Sequence, residues 1–250
     1  MKYKGYNVLT LKTSNEEIHH IQLALGIDLG TCRFATIATT EGNVEIIGSE
    51  PLNHYCKLID EGESTEASMN MWLFKKVKAL VEDWHDRGVE AVYVGCCKGD
   101  YLTLCGGDEN HPFYKHKVFE TFIKYLEAFC QEYDIPIETV DFDESYTSRA
   151  NSLNGDYIPN HGDTNIPHFI GKRELGIYVI DKHMVMNADV NAAINILHKA
   201  GFSVRVSVGS NVVEVDPPKA EIIPVEDNIE EILGDKLERN FKEPAMEVIP

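Results

Sequence analysis

The sequence predicts an α/β fold: a mixed sheet with helices on its faces. Two observations carry this expectation. Three short apolar runs of strand length follow one another between Ile21 and Gly48, and helical and strand periodicities then alternate from Trp72 onward. Consecutive strands read as an antiparallel meander, whereas strands separated by helices read as parallel neighbours, so one sheet would hold both kinds.

The first strand is read over Ile21 to Leu29, a nearly unbroken apolar run closed by Gly30. Phe34 to Thr40 and Val44 to Gly48 follow, separated by the turn-like Glu41-Gly42-Asn43. Trp72, Leu73, Val77, Leu80, Val81 and Trp84 recur at helical spacing, and Gly88 supplies the left-handed residue that ends this helix. The two tryptophans sit at core positions of that pattern. A strand over Val89 to Val94 comes next, then a helix from Phe113 to Tyr133 through Val118, Phe119, Phe122, Leu126 and Phe129. The alternation Ile135, Ile137, Val140, Phe142 predicts a further strand. Residues 145–175, rich in Asn, Gly, Asp and Pro, read as an irregular insertion before the last strand, Gly176 to Ile180, and a last helix from near Asp189 to Gly201.

Composition bounds what such a fold can do. The 250 residues carry a net charge of −18 with 43% hydrophobic and 26% charged residues, which excludes disorder throughout. No stretch approaches the roughly 18 consecutive apolar residues of a membrane span, and Met1 to Leu11 lacks the apolar core of a signal peptide, so a cytoplasmic protein is expected. The six cysteines (Cys32, Cys56, Cys96, Cys97, Cys105, Cys130) form no C-x-x-C pair, and free thiols without structural zinc are expected. Val212 to Pro250 holds eleven acids, four bases and five of the ten prolines, and reads as a loosely attached acidic tail, with a short amphipathic helix around Asn228 to Leu237. Seven of the negative charges lie there. The acidity left on the remainder argues against a surface built to neutralise phosphates.

Three segments could carry chemistry. Asp28, in Leu25-Gly26-Ile27-Asp28-Leu29-Gly30-Thr31, is an acid in an apolar strand, which costs on the order of several kcal/mol unless it is paired or binds a cation. Glu144 belongs to Asp141-Phe142-Asp143-Glu144, three acids in four positions at a strand end, a crowding favoured chiefly where a cation collects them. The plain alternative is a solvated strand end with Ser145 to Ser148 capping a turn. Asp189, in Asn187-Ala188-Asp189-Val190-Asn191, stands where a helix N-cap belongs, and that is the plain alternative for it. Small residues at Ala188, Ala192 and Ala193 would let this helix lie close to the sheet and aim Asp189 at Asp28. Asn191 and Asn195 lie four apart on it.

Together these motifs, 116 and 45 residues apart, resemble the three RuvC motifs of the TnpB family, transposon-encoded relatives of type V CRISPR effectors. The likeness extends to Val92-Tyr93-Val94-Gly95, to Pro112-Phe113 opening a long helix, to Glu144-Ser145-Tyr146-Thr147-Ser148, and to Gly171-Lys172-Arg173 with Gly176-Ile177-Tyr178, over about residues 24–201. It is strongest to the branch without a zinc finger, in keeping with the lack of cysteine after Cys130. The resemblance implies a ribonuclease H-like (RuvC) mixed sheet over residues 25–205, whose strand and helix order the sequence also fits. It implies that Asp28, Glu144 and Asp189 are catalytic and bind Mg²⁺ (or Mn²⁺) for two-metal hydrolysis of a DNA phosphodiester. Arg149, Lys172 and Arg173, in irregular segments flanking the acids, are the candidates for nucleic-acid contact.

The sequence also departs from that family. Residues 1–24, a short lead-in, stand where the family carries a long half that binds guide RNA. Cys96-Cys97-Lys98-Gly99-Asp100-Tyr101 is less basic than usual, and Pro51 to Asn70 looks shortened. The expected partners are therefore a DNA substrate with a guide RNA or a separate recognition chain, and no membrane. The alternative is a TnpB-derived binding or regulatory protein with weak or no catalysis. An actin- or Hsp70-like ATPase is suggested by Asp28 and its neighbours alone, because no second acid-plus-glycine phosphate loop follows.

Overall fold

The computed structural model describes residues 23–174, 176–181 and 184–204, together with four short strands outside them. Two of these, β1 (Leu11–Lys12) and β2 (Ile18–His19), form an antiparallel pair. Apart from those strands, the expected lead-in lies outside the described residues; so does the expected acidic tail, apart from its first residues.

The expected meander forms as β3 (Ala24–Leu29), β4 (Arg33–Thr39) and β5 (Val44–Gly48), each antiparallel to the next. Helices α1 (Glu50–Asp60) and α2 (Glu66–Asp86) return the chain to β6 (Ala91–Gly95), which pairs parallel to β3. After a 3₁₀ turn at Cys97–Gly99 come α3 (Tyr101–Leu104), α4 (Pro112–Lys115), α5 (Val118–Glu132) and the two-residue strand β7 (Ile137–Glu138), parallel to β6. The result is a mixed five-stranded sheet in the order β5-β4-β3-β6-β7, with β3 at its centre. A second sheet, antiparallel in the order β10-β9-β8, holds β8 (Lys172–Glu174), β9 (Ile177–Asp181) and β10 (Met184–Asn187), and leads straight into α6 (Ala188–Lys199). Beyond it, β11 (Ser207–Gly209) pairs with β12 (Val212–Glu214). No helix among the described residues is long and apolar enough to cross a membrane.

The period of two along β3 separates two faces. Leu25, Ile27 and Leu29 join Leu73, Val77, Phe119, Phe122 and Leu126 of α2 and α5 in one buried cluster. Ala24, Gly26 and Asp28 point the other way, where Ala38 and Ala91 pack beneath Ala193, Ile194 and Leu197 of α6. Trp84 is fully buried on the first face and Trp72 packs against it, as their spacing predicts.

Three sequence expectations are corrected. The helix read from Phe113 to Tyr133 is broken at Lys117, which takes a left-handed conformation (φ +53°). Phe113 and Val118 are both buried, and on one continuous helix they would lie about 140° apart; the break lets both face the core. The strand read from Ile135 to Phe142 is only two residues long, because the chain turns at Thr139, leaving Val140 exposed while Phe142 packs at a tilt against Tyr93. The strand over Gly176 to Ile180 lies in the second sheet.

Candidate functional site

Asp28 lies near the end of β3, beside Thr36 on β4 and Gly95 on β6. Close approach explains two glycines around it. A Cβ at Gly26 would stand 2.4 Å from the Ala193 carbonyl oxygen, so α6 rests directly on β3. A Cβ at Gly95 would stand 2.1 Å from Oε2 of Glu144 and 2.8 Å from Ile196, so the Glu144 carboxylate lies over the strand next to Asp28. Asp189 sits one helical turn before Ala193 and thereby comes within electrostatic reach of Asp28.

Asp189 is not the N-cap, which corrects the plain reading of its position. Asn187 caps α6 by accepting the N–H groups of Asp189 and Val190 at 2.9 and 3.2 Å, and this frees the Asp189 carboxylate. Two arginines hold that carboxylate. Arg173 donates to Oδ1 at 2.7 Å and Arg33, just after the β3–β4 turn, to Oδ2 at 3.3 Å. Glu144 accepts the backbone N–H of Cys97, which the strained left-handed backbone of Cys97 and Lys98 (φ +49° and +53°) aims at it.

The stretch carrying Glu144 is pinned to α6 by buried amides. Asn191 donates to the Ala150 carbonyl at 2.9 Å and accepts the Ser152 N–H at 3.1 Å. Asn195 donates to the carbonyls of Thr147 and Ala150 at 2.8 and 2.7 Å. Asp143 anchors the following insertion: its carboxylate accepts the N–H groups of Ser145 and His161 and pairs with Lys199 at 3.3 Å. The crowded acids of this motif thus divide their work. Asp141 is exposed to solvent, Asp143 is neutralised within the fold, and Glu144 alone turns towards Asp28 and Gly95.

Burial raises the Asp28 carboxyl well above its usual range; the negative charges of Asp189 and Glu144 raise it further, and Arg173 offsets them in part. Glu144 is also raised, first by burial, against the Cys97 hydrogen bond and Lys199. Burial acts upward on Asp143 as well, but its hydrogen bonds from His161 and Ser145 together with Lys199 outweigh that, and its carboxyl lies below the usual range.

A cleft of about 470 Å³ opens here, lined by Asp28, Glu144, Lys98, Asp143, Ser145 and His161 among others. The donor set suits a hard divalent ion, since it consists of carboxylates whose mutual repulsion a cation would relieve. Thr36 Oγ1, beside Asp28 in the sheet, is buried without a hydrogen-bond partner. Among the described residues, no three His, Cys, Asp or Glu side chains converge closely enough to enclose an ion. Of the expected nucleic-acid contacts, Arg149 lies 5.7 Å from the ring centres of both Tyr146 and Phe169, Lys172 pairs with Glu174, and Arg173 holds Asp189. Arg33, Lys199 and the Cys97 amide were not legible in the sequence: each is remote in sequence from the acid it serves.

Residues 119–196, from α5 to α6, match the family model of the Cas12f1-like TNB domain. The matched segment includes Glu144 and Asp189 but not Asp28. Among solved structures, the cryo-EM structure of the Cas12f1-sgRNA-target DNA complex aligns with 70% of this chain at 16% identity and a TM-score of 0.44. This chain spans 38% of that one. No curated protein matches it.

Proposed function

We propose that this chain is the nuclease part of a TnpB/Cas12-related DNA endonuclease with a ribonuclease H-like (RuvC) domain over residues 25–205, in which Asp28, Glu144 and Asp189 hold Mg²⁺ or Mn²⁺. One observation carries the reading: Asp28 on the central strand lines an open cleft together with Glu144, from the loop after β7, and lies within electrostatic reach of Asp189 on α6. The strand order β5-β4-β3-β6-β7 and the family match over residues 119–196 agree with it.

Bound divalent ions would activate a water and stabilise the leaving oxygen of a phosphodiester. The chain's own residues orient the acids: Gly95 leaves room for Glu144, Cys97 fixes its carboxylate, Asn187 leaves Asp189 uncapped, and Asn191 and Asn195 keep the second and third motifs together. Lys98, on the cleft wall, and Arg149, beside it, offer charge for a phosphate backbone. Target recognition falls to a guide RNA or another chain, and the protein works in the cytoplasm.

A second reading, a nucleic-acid-binding protein that does not cut, is favoured by the engagement of Asp189 with two arginines. Cleavage of end-labelled single-stranded DNA, with and without RNA, separates the two. Mg²⁺-dependent products that vanish in Asp28→Ala support the endonuclease, whereas DNA binding with no metal-dependent products supports the second reading.

A further inference from the structure

Asp189 is held more firmly than a waiting metal ligand needs to be. Each of its oxygens accepts one guanidinium, and its side chain is only 13% exposed. The two arginines come from different sheets: Arg33 opens β4 of the main sheet, and Arg173 is on β8 of the second sheet. Both side chains are partly open to solvent, at 28% and 42%. The charge of Arg173 also acts on Asp28.

A guanidinium and a divalent ion cannot both take the same two carboxylate oxygens at full strength. A phosphodiester, whose single negative charge is shared by two oxygens that match the guanidinium fork, competes for the arginines once a cation draws on the carboxylate. We infer that Arg33 and Arg173 form a latch on Asp189 that a divalent cation and a phosphodiester open together: the phosphate draws the arginines away and the carboxylate then becomes available to the metal. This rests on the metal-dependent reading above and adds regulation to it. The latch explains how a site of three mutually repelling acids stays folded without metal, since the arginines supply the missing positive charge until substrate arrives. It also makes metal and substrate binding reciprocal, as linkage requires.

The test is Mn²⁺ binding followed by electron paramagnetic resonance on the full chain, with and without a non-hydrolysable phosphorothioate single-stranded DNA. For the wild type, the DNA is expected to tighten Mn²⁺ binding by about fivefold or more. Arg173→Gln, and the double variant Arg33→Gln with Arg173→Gln, are expected to bind Mn²⁺ more tightly than wild type without DNA and to lose the response to DNA. Lys98→Gln removes an equal charge from the cleft without touching Asp189, and is expected to weaken DNA binding while tightening Mn²⁺ binding without DNA less than Arg173→Gln does; circular dichroism and melting temperature establish that each variant is folded. Equal gains in Lys98→Gln and Arg173→Gln, or an undiminished DNA response in the double variant, overturn the latch and leave the metal site standing. Failure of wild type and variants alike to bind Mn²⁺ overturns the metal reading and the latch with it.

Discussion

The two faces of the central sheet are built from opposite materials. Towards α2 and α5, β3 presents Leu25, Ile27 and Leu29 to large side chains including Trp84, Phe119 and Phe122, with Phe34 stacked on Phe119 and edge-on to Phe113. Towards α6 the same strand presents Ala24, Gly26 and Asp28, and the helix answers with Ala193 and with buried Asn191 and Asn195. The first face gains stability by burying area. The second gives up area for close backbone approach, and uses it to bring carboxylates together with amides that fix them. A site of like charges sits on the thin face because the thick one supplies the fold's stability.

The largest effect should come from breaking the thick face. Trp84→Ala, at a fully buried position, is expected to cost about 3–5 kcal/mol in denaturant unfolding, with metal response retained in the folded fraction. A smaller loss but a larger functional one is expected on the thin face. Gly26→Ala places a methyl against the Ala193 backbone oxygen, forcing α6 outward; stability should fall by about 1–3 kcal/mol and metal-induced stabilisation should disappear, as a thermal melt with and without Mn²⁺ would measure. Retained metal response in Gly26→Ala would break the link drawn between close packing and the site.

How legible these faces were in the sequence differs in the same way. The meander and α2 could be read because large apolar residues at regular spacing both define an element and bury it. Asp28, Glu144 and Asp189 could be singled out because acids beside apolar runs are costly, and the structure brings Asp28 within reach of the other two. What could not be read depends on tertiary contact. Lys117 breaks a helix whose periodicity looked continuous, β9 joins a different sheet, and the arginines on Asp189 come from positions 156 and 16 residues away along the chain. Asn191 and Asn195 stood out by spacing, but their partners, the carbonyls of a loop some forty residues earlier, did not.

The smallest effect contrasts two acids of the thin face in metal-free buffer. Asp28 is raised in the folded protein, so the native state holds its proton more tightly than the unfolded chain. Stability should therefore fall as pH rises above its ordinary value of 3.8, until the raised folded value is passed. Asp143 is lowered, so its contribution is present above 3.8 and is lost as pH falls below it. Denaturant unfolding across pH should show Asp28→Asn flattening the first slope and Asp143→Asn the second. Equal slopes in both variants would mean that the two carboxylates do not differ as described.

The central claim is that the thin face collects a divalent ion between carboxylates of three elements. Anomalous scattering from crystals soaked with Mn²⁺ tests it most directly. The account predicts a peak against Asp28 and Glu144, with Asp189 turned from Arg33 and Arg173 towards it, and no peak in Asp28→Ala crystals. A saturating soak that leaves this position empty, or an Mn²⁺ ion bound only elsewhere, would contradict it.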